Sequence, residues 1–286
     1  MKSGIVAVAG RPNVGKSTLV NALCGGKVAI VSDKPQTTRR RVYGIANGDD
    51  YQLVLADLPG FQRPRDALTE RMQNTVERSF EEVDGVMFVV SARERIGAGD
   101  RFIAHRVFSL GVPVVITVNK VDRLKPGHIA TQMKTAAALG AFESLHPVSA
   151  KTGDGIGELR DDLVGLLPNG EPLFPREQRT DLPVEAQVGE LVREKALQLT
   201  RDEVPHAITV EVAEIGPKVV RADLLVETES QKQILVGRGG AMIREIGTRS
   251  RPEIELLLDH PVFLELRVRV KPRWRRDDAL LERLGI

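Results

Sequence analysis

Short apolar runs recur through the first half of the chain, and each ends in a polar or glycine-rich segment. Ile5–Ala9, Val86–Val90 and Val114–Val118 contain no charged residue, which is typical of strands buried on both faces of a parallel sheet. Arg41–Ala46 and Gln52–Ala56 have strand-like composition and flank a turn rich in Asn, Gly and Asp, so they predict a β-hairpin. Together these runs predict the sheet of a first domain.

Helical periodicity fills the intervals between these strands. Asp66–Glu82 carries four apolar residues at a spacing of four, which predicts a helix with one core face. Asp100 is predicted to be the N-cap of a helix that ends at Leu110, and Gly153–Gly157 is predicted to start another helix. Because strands alternate with helices, we expect an α/β domain with a mainly parallel sheet.

The pattern changes at Leu167–Pro175, where three prolines and one glycine predict a linker. Beyond it, Val184–Thr200 is predicted to be an amphipathic helix, and His206–Ile215 and Val219–Glu227 are predicted to be strands. The rest of the chain predicts three helices and a closing strand, at Ser230–Val236, Ala241–Ile246, Pro252–Asp259 and Val262–Val270. The second domain is therefore expected to be a smaller α+β unit.

Composition narrows the class of protein. The 286 residues include 41 Lys and Arg against 39 Asp and Glu, so the net charge is +2 and any basic surface must be local. Cys24 is the only cysteine and the five histidines are dispersed, so we expect no zinc site and no nucleophilic triad. Since no run of about 18 apolar residues is present, we expect a cytoplasmic protein without a membrane-spanning segment.

The segment Gly10–Thr18 follows the first predicted strand, opens a helix and has the pattern Gly-x-x-x-x-Gly-Lys-Ser-Thr. In that context the pattern predicts a P-loop, whose backbone N–H groups and helix N-terminus bind phosphate oxygens. Lys16 is predicted to contact the β- and γ-phosphates, and Ser17 is predicted to hold Mg²⁺. The predicted phosphate-binding residues are Gly10, Arg11, Pro12, Asn13, Val14, Gly15, Lys16, Ser17 and Thr18.

A polar and basic stretch over 34–41 follows the P-loop helix. Alone it would be an ordinary surface loop, but after a P-loop it predicts a mobile switch loop. Its Thr37 or Thr38 is then placed to bind Mg²⁺ when a γ-phosphate is present and to let go afterwards.

The second strand of the hairpin ends in Asp57, Leu58, Pro59 and Gly60. The Asp57 carboxylate is predicted to hold Mg²⁺, and the Gly60 N–H is predicted to contact the γ-phosphate. Phe61 comes next, at a point where many GTPases carry the glutamine that orients the attacking water. Phenylalanine cannot do that, so the water must be positioned in another way.

Val114–Val118 runs directly into Asn119-Lys120-Val121-Asp122. The Asp122 carboxylate can accept both donors of the guanine N1/N2 edge, a pair that adenine lacks. A backbone N–H of Ser149-Ala150-Lys151 can contact the guanine O6, so the set predicts GTP binding. The predicted base-binding residues are Asn119, Lys120, Asp122, Ser149, Ala150 and Lys151.

In the second domain, a Gly-Arg-Gly-Gly segment separates two predicted helices. A bare Gly-x-x-Gly is weak evidence, and the segment could be a simple helix connection. The order of elements around it, however, matches the KH fold, in which this loop clamps the backbone of about four nucleotides. The predicted RNA-binding residues here are Ile234, Val236, Gly237, Arg238, Gly239, Gly240 and Ile243.

A run of basic residues closes the second domain, from Arg267 to Arg276, with Trp274 inside it. Alternate basic residues on a strand project from one face, and arginine beside an aromatic residue suits phosphate contact and base stacking. On this interpretation Lys271 and Arg273 contact RNA. The alternative is a solvated edge strand whose Trp274 packs on a neighbouring helix, and the sequence leaves both open.

Taken together, these motifs resemble the bacterial Era-type GTPases, a branch of the TrmE-Era-EngA-YihA-Septin group with a C-terminal KH domain. The resemblance covers nearly the whole chain and also includes Pro35–Arg39 and Leu264–Lys271. It implies a P-loop GTPase domain at 1–170, a linker at 171–182 and a type II KH domain at 183–286. It further implies a ribosome-assembly factor that binds the 3′ end of small-subunit 16S rRNA and uses GTP to time its arrival and release.

The resemblance also bears on catalysis. Relatives with a hydrophobic residue at the position of Phe61 and an asparagine at that of Asn13 use K⁺, so it implies slow, K⁺-assisted hydrolysis; alternatively, Asn13 only braces the loop. The catalytic residues implied are Lys16, Thr38, Asn13 and Gly60, with Ser17, Thr38 and Asp57 on Mg²⁺. Leu58 stands where the family has threonine, which removes a hydroxyl beside Asp57.

Two other functions stay open at this point. One is a non-enzymatic RNA-binding scaffold that uses nucleotide only structurally, although Lys16, Ser17 and Asp57 argue against it. The other is a GTPase whose second domain docks a protein or membrane partner, against which the Gly237–Gly240 context argues. We expect a monomer in the cytoplasm, bound to the small ribosomal subunit, and leave open a peripheral membrane-associated fraction.

Overall fold

The computed structural model describes residues 1–34, 36–61 and 64–286, so Pro35 of the quoted motif lies outside the described residues. The chain divides into two compact units. The first unit comprises Met1–Ala29, Thr38–Arg63 and Met72–Asp181, and the second comprises Ile30–Thr37, Pro64–Arg71 and Leu182–Ile286. No helix in the described ranges is long and apolar enough to cross a membrane.

The first unit is built on a six-stranded sheet of order β2-β3-β1-β4-β5-β6. Its strands are β1 Lys2–Gly10, β2 Val42–Asn47, β3 Tyr51–Asp57, β4 Gly85–Ser91, β5 Val114–Asn119 and β6 Ser144–Val148. Neighbours run parallel except β2, which pairs antiparallel with β3 as the predicted hairpin. The helices of this half of the chain are α1 Lys16–Leu23, α2 Ala67–Ser79, α3 Ala98–Phe108, α4 Pro126–Ala137 and α5 Ile156–Leu166.

Both faces of this sheet are covered, which is why its strands carry uninterrupted apolar runs. In β1, Val6 and Val8 join a cluster with residues of α1 and α5, whereas Ala7 and Ala9 join a second cluster with residues of α3. The α/β class and the mainly parallel sheet are therefore confirmed. The P-loop and the later motifs follow parallel strands, so they lie together at the carboxyl edge of the sheet.

Two helix boundaries differ from the prediction. The helix α3 begins at Ala98 with Gly97 as its N-cap, so the assignment of Asp100 as N-cap is wrong. Asp100 lies one turn inside, where its carboxylate reaches back to accept the Gly97 N–H at 2.9 Å. The helix α2 is shorter than 66–82 and spans Ala67–Ser79.

The proline-rich segment after α5 is ordered along the first unit. The N–H groups of Leu173 and Phe174 both donate to the side-chain oxygen of Gln52, which is fully buried. Further along, the Ile45 N–H donates to the carbonyl of Arg179 at 2.9 Å. Prolines here end the helix, and specific hydrogen bonds replace the regular structure that they prevent.

The second unit has a three-stranded sheet of order β7-β8-β9, with β7 and β8 antiparallel and β8 and β9 parallel. Its elements are α6 Val184–Leu199, α7 Val204–Ala207, β7 Thr209–Ile215, β8 Val219–Val226, α8 Glu229–Val236, α9 Ala241–Leu258, β9 Phe263–Val270 and α10 Asp278–Arg283. Val188, Val220, Leu235 and Ile246 are each completely buried, so α6, α8 and α9 cover one face of the sheet.

Two predictions for this unit are wrong in detail. Ala241–Ile246 and Pro252–Asp259 are parts of one helix, α9, which contains Pro252. A proline removes only one backbone hydrogen bond, and burial of Ile246 and Ile254 on the same face holds the helix together across it. The strand predicted from His206 begins at Thr209, because the preceding residues form the short helix α7.

Candidate functional site

The P-loop forms the connection between β1 and α1. Gly15 is the N-cap of α1 and has a φ of 102°, a left-handed conformation that glycine adopts without strain. The Lys16 ammonium lies inside the loop, where it donates to the carbonyls of Gly10 at 3.1 Å and Arg11 at 3.0 Å. Burial lowers the pKa of Lys16 to about 8, against the opposing effect of the Asp57 charge.

Three oxygen-bearing side chains from separate elements meet beside Lys16. Ser17 Oγ lies 2.6 Å from Asp57 Oδ2 and 3.0 Å from Thr38 Oγ1, and Thr38 Oγ1 lies 3.2 Å from Asp57 Oδ2. Burial raises the pKa of Asp57, and the hydrogen bond from Ser17 and the charge of Lys16 oppose it. Thr37 is not part of this cluster, because its hydroxyl donates to the Lys34 carbonyl at 2.7 Å.

This cluster fits a magnesium ion. Hydroxyl and carboxylate oxygens are the ligands that Mg²⁺ prefers. Asp57 is completely buried, and its second oxygen, Oδ1, finds no hydrogen-bond donor among the described residues. A buried carboxylate oxygen without a donor is costly unless a cation or a water molecule satisfies it.

Of the residues that follow Asp57, some pack in the core and one contacts the P-loop. Leu58 is 1% exposed and packs in the second core cluster, so the apolar residue at this position has an apolar environment. Gly60 lies against the P-loop, since a Cβ on it would be 2.8 Å from Pro12 Cγ. Phe61 stacks on Phe80 with ring centroids 5.9 Å apart, so its side chain belongs to a packed aromatic pair.

The predicted guanine-binding residues come together at the ends of β5 and β6. Asn119 is the centre of this group: its Nδ2 donates to the Val14 carbonyl at 2.9 Å, and its Oδ1 accepts the Ala150 N–H at 3.1 Å. Ser149 Oγ donates to Asp122 Oδ1 at 3.0 Å. One buried amide thus ties the base-binding loops to the P-loop.

The lysine of this motif is also tied to the P-loop. Lys120 Nζ donates to the Asn13 carbonyl, and burial lowers the pKa of Lys120. Asn13 has a φ of 64° and an exposed side chain, whereas Val14 is completely buried. Thr18 lies in the first turn of α1, and Lys151 is exposed beyond Ala150.

Sequence reasoning missed the ion pairs that hold the second P-loop residue. Arg11 Nε lies 2.9 Å from Asp100 Oδ1, and Arg11 Nη2 lies 2.7 Å from Glu94 Oε2. Asp100 is 1% exposed and also holds the start of α3. The sequence feature that pointed to these pairs was Asp100, whose carboxylate near the start of a helix was interpreted only as a helix cap.

The Gly-x-x-Gly segment connects α8 and α9 in the second unit. Gly237 ends α8, and Arg238–Gly240 forms a single 3₁₀ turn before α9. Arg238 is exposed, and Arg244, which the sequence reasoning did not include, donates to the Gly239 carbonyl at 2.8 Å. Arg244 could have been found from its position, one turn into the helix that follows the loop.

A groove with a volume of about 420 Å³ lies beside this segment, between α9 and the start of β9. Ile243, Arg244 and Phe263 are among the residues that line it. Phe263 is 64% exposed and Ile234 is 48% exposed, while Val236 is half-buried. Arg244, Arg251 and Glu265 are among the lining residues, and a mainly apolar groove that also contains arginines suits bases and phosphates.

The basic run at the end of the unit is largely neutralised. Arg267 pairs with Glu265, Arg269 lies 3.1 Å from Asp223, and Lys271 lies 2.7 Å from Asp277. Arg273 is exposed, with a φ of 54°.

Trp274 is completely buried and donates its indole N–H to the Ala207 carbonyl at 2.8 Å. Of the two alternatives for this residue, the structure therefore has the packed one. The tryptophan belongs to the core of the second unit, and base stacking by Trp274 is excluded.

Both units match known protein families. A family model described as 50S ribosome-binding GTPase matches residues 5–120, and a KH domain model matches residues 203–275. GTPase Era of Mycobacterium sp. (strain JLS) is 42% identical over 294 residues, which cover 99% of this chain and 98% of the relative. GTPase Era of Nocardioides sp. is 44% identical over 300 residues, which cover 99% and 96%.

This chain belongs to the Era family of GTPases. Two solved structures agree, each with a TM-score of 0.93 and 39% identity over 100% of this chain and 99% of the other. One is an Era variant of Aquifex aeolicus bound to GDP·AlF4⁻, and the other is Era in complex with MgGDPNP and nucleotides 1506–1542 of 16S ribosomal RNA. The predicted family and its two-domain organisation, a P-loop GTPase followed by a KH domain, are confirmed.

Proposed function

We propose that this Era-family GTPase binds the 3′ end of 16S rRNA through its KH unit and assists assembly of the small ribosomal subunit, with GTP setting the time of binding and release. The observation that carries the proposal is the full-length likeness to Era crystallised with MgGDPNP and 16S rRNA nucleotides. The exposed Gly-x-x-Gly segment and the apolar groove beside it support the RNA part.

In this proposal Ser17, Thr38 and Asp57 hold Mg²⁺, which when bound neutralises charge that develops on the phosphate oxygens. Lys16 binds the β- and γ-phosphates as an ammonium, and the Gly60 N–H donates to the γ-phosphate. Asp122 accepts from the guanine edge while Asn119 holds both loops in place. Phe61 is packed on Phe80, so its side chain does not orient the attacking water.

The assignment of K⁺ rests on Asn13. Its side chain is exposed beside the phosphate-binding loop, and an amide oxygen is a suitable K⁺ ligand there. A cation at that point stabilises charge that develops during phosphoryl transfer. Replacing K⁺ with Na⁺ is expected to slow GTP turnover, and Asn13→Ala is expected to remove the difference. Equal rates in the two salts would overturn the assignment.

The test of the RNA function is binding of nucleotides 1506–1542 of 16S rRNA in GDPNP and in GDP. Tighter binding in GDPNP is expected. Equal binding would restrict the timing role to the assembled ribosomal subunit, and no binding in either state would favour a protein or membrane partner. Each titration is run in both directions, protein into RNA and RNA into protein, so that the affinities compared are equilibrium values.

We further propose that the protein acts as a monomer in the cytoplasm. Sedimentation equilibrium with each nucleotide tests the oligomeric state. Flotation with vesicles of anionic lipid tests the alternative of a peripheral membrane-associated fraction. Flotation at physiological ionic strength would revise this part of the proposal alone.

A further inference from the structure

Residues 30–37, which precede Thr38, belong to the second compact unit and are held by helix α6. At the start of this segment, the Val31 N–H donates to Glu194 Oε1 at 2.8 Å. At its end, Arg193 Nη2 donates to the Thr37 carbonyl. Two consecutive residues of one helix therefore hold both ends of the segment.

The two helix residues are themselves fixed. Arg193 is 2% exposed, and its guanidinium binds the Glu190 carboxylate through two hydrogen bonds, of 3.0 and 2.6 Å. Glu194 is 3% exposed and accepts from Lys195 at 2.8 Å. A bidentate pair within one helix gives the guanidinium a single orientation.

Stability alone does not explain an arginine here. Arg193 Nη1 is buried and has no acceptor among the described residues, which is unfavourable. A buried ion pair can often be replaced by apolar residues of similar volume without loss of stability. Methionine would fill much of the same space, so the guanidinium points to a role in fixing the segment that it binds.

We propose that Arg193 is a positioning residue for GTP hydrolysis. By holding the Thr37 carbonyl, it fixes the peptide that joins Thr37 to Thr38. That peptide sets the direction of the Thr38 hydroxyl, which lies within 3.2 Å of both Ser17 Oγ and Asp57 Oδ2. The inference rests on the magnesium site of the proposed function, and Glu194 anchors the far end of the same segment.

The experiment compares Arg193→Met and Arg193→Lys with the wild-type full chain. The matched control is Arg249→Met. It removes an exposed guanidinium of α9 that, like Arg193, pairs with a glutamate of its own helix, Glu245. Steady-state GTP hydrolysis is measured over a Mg²⁺ titration, and the dissociation constant of GDP and the melting temperature are measured in parallel. GDP lacks the γ-phosphate that Thr38 serves, so its affinity separates positioning from general damage.

Arg193→Met is expected to lower kcat about tenfold and to raise the Mg²⁺ concentration for half-maximal rate, the size of one well-placed charged hydrogen bond. Its GDP affinity is expected to match that of wild type. Arg193→Lys is expected to recover part of the rate, because its ammonium can still donate to a carbonyl. The Arg249→Met control is expected to hydrolyse GTP like wild type.

Wild-type kcat and Mg²⁺ dependence in Arg193→Met would overturn the inference. So would a parallel fall in kcat, GDP affinity and melting temperature, since that pattern indicates a purely structural role. A wild-type protein that hydrolyses no GTP in Mg²⁺ would overturn the proposed function and this inference together. An active wild type with an unaffected Arg193→Met would overturn the inference alone.

Discussion

The P-loop and the Gly-x-x-Gly loop are both glycine-rich and both precede a helix, but they differ in how closely their glycines are packed. In the P-loop, a Cβ on Gly15 would lie 2.3 Å from Asn119 Nδ2, and Lys16 is 7% exposed. In the Gly-x-x-Gly loop, a Cβ on Gly239 would meet nothing within 4 Å, and Arg238 is exposed. Gly15 in the first loop allows close packing. In the second loop Gly237 also packs closely, since a Cβ on it would lie 2.8 Å from Met242 Cβ, but Gly239 and Gly240 leave the surface clear.

The difference follows from the ligand that each loop is expected to take. A phosphate group is compact, so a loop with its carbonyls held from behind by Asn119 and Lys120 can present fixed N–H groups to it. A single-stranded nucleic acid is long and passes over the protein, so the loop that clamps it must stand open. Glycine therefore permits close packing at Gly15 of the P-loop and an accessible surface at Gly239 and Gly240 of the Gly-x-x-Gly loop.

The largest effect is expected from Gly15→Ala. The new Cβ would displace the Asn119 amide, which holds both the P-loop and the Ala150 backbone, and alanine is strained at a φ of 102°. Affinity for GDP and GTP is expected to fall at least about 100-fold, equivalent to about 2.8 kcal/mol. Isothermal titration calorimetry measures it, and RNA affinity in the absence of nucleotide is the control. Retained nucleotide affinity would show that the loop is not enclosed.

The second effect is expected from Arg238→Asp in the open loop. RNA affinity is expected to fall between about 10- and 160-fold, because one charged contact with a phosphate is worth about 1.5–3 kcal/mol. The dependence of affinity on salt should also become shallower by about one counterion. Fluorescence anisotropy at several salt concentrations measures both. Lys232→Asp on the preceding helix is the matched control, and an equal loss there would mean that only net charge matters.

How far the sequence could predict these two loops depends on the kind of information each carries. The positions of the P-loop, Asp57 and the Asn119 motif at neighbouring strand ends could be predicted from short spacings in the sequence, and the structure brings them together, while their individual roles stay predictions. The sequence could not choose between Thr37 and Thr38 on its own. That choice depends on which way one peptide faces, and the fold places the Thr38 hydroxyl beside Ser17 and Asp57.

Other features required the tertiary structure. Pro252 predicted a break between two helices, but burial of residues on either side keeps α9 continuous. The sequence left open whether Trp274 stacks on bases or packs against a helix; the indole is buried, and three of the cations around it are paired with acids. Asp223 is distant from Arg269 in sequence, so that ion pair leaves no local pattern, and the pairing of Glu265 and Asp277 with nearby cations depends on side-chain directions that the sequence does not give.

The third expected effect is a difference in pH dependence between the loops. The pKa of Lys16 is about 8, and the phosphates need its charged form, so GDP affinity is expected to be constant up to about pH 8. Above that value a proton must be taken up on binding, and affinity is expected to fall by up to about tenfold per pH unit. RNA affinity should stay flat over pH 7–9, since guanidinium groups do not titrate there. Guanosine, which has the base without phosphate, controls for titration of the base, and flat GDP affinity would contradict the prediction.

The smallest effect is expected from Gly239→Ala. The residue has a φ of 59°, and the left-handed conformation costs an alanine about 1 kcal/mol. Because the new methyl group would meet nothing within 4 Å, strain is the only new term in the folded state; the lower entropy of the unfolded chain offsets part of it, so the free energy of unfolding should fall by at most about 1 kcal/mol. Urea denaturation measures it.

Gly247→Ala is the matched control for this change, since it lies inside α9, where its Cβ would make an ordinary contact at 3.6 Å with Leu266 Cδ1. There alanine is expected to stabilise by up to about 1 kcal/mol, because glycine is the poorer helix former. Opposite signs for the two substitutions would establish that the loop glycine is kept for its backbone conformation. Equal signs would mean that the open loop is not held in the left-handed conformation in solution, and the contrast with the enclosed P-loop would then rest on exposure alone.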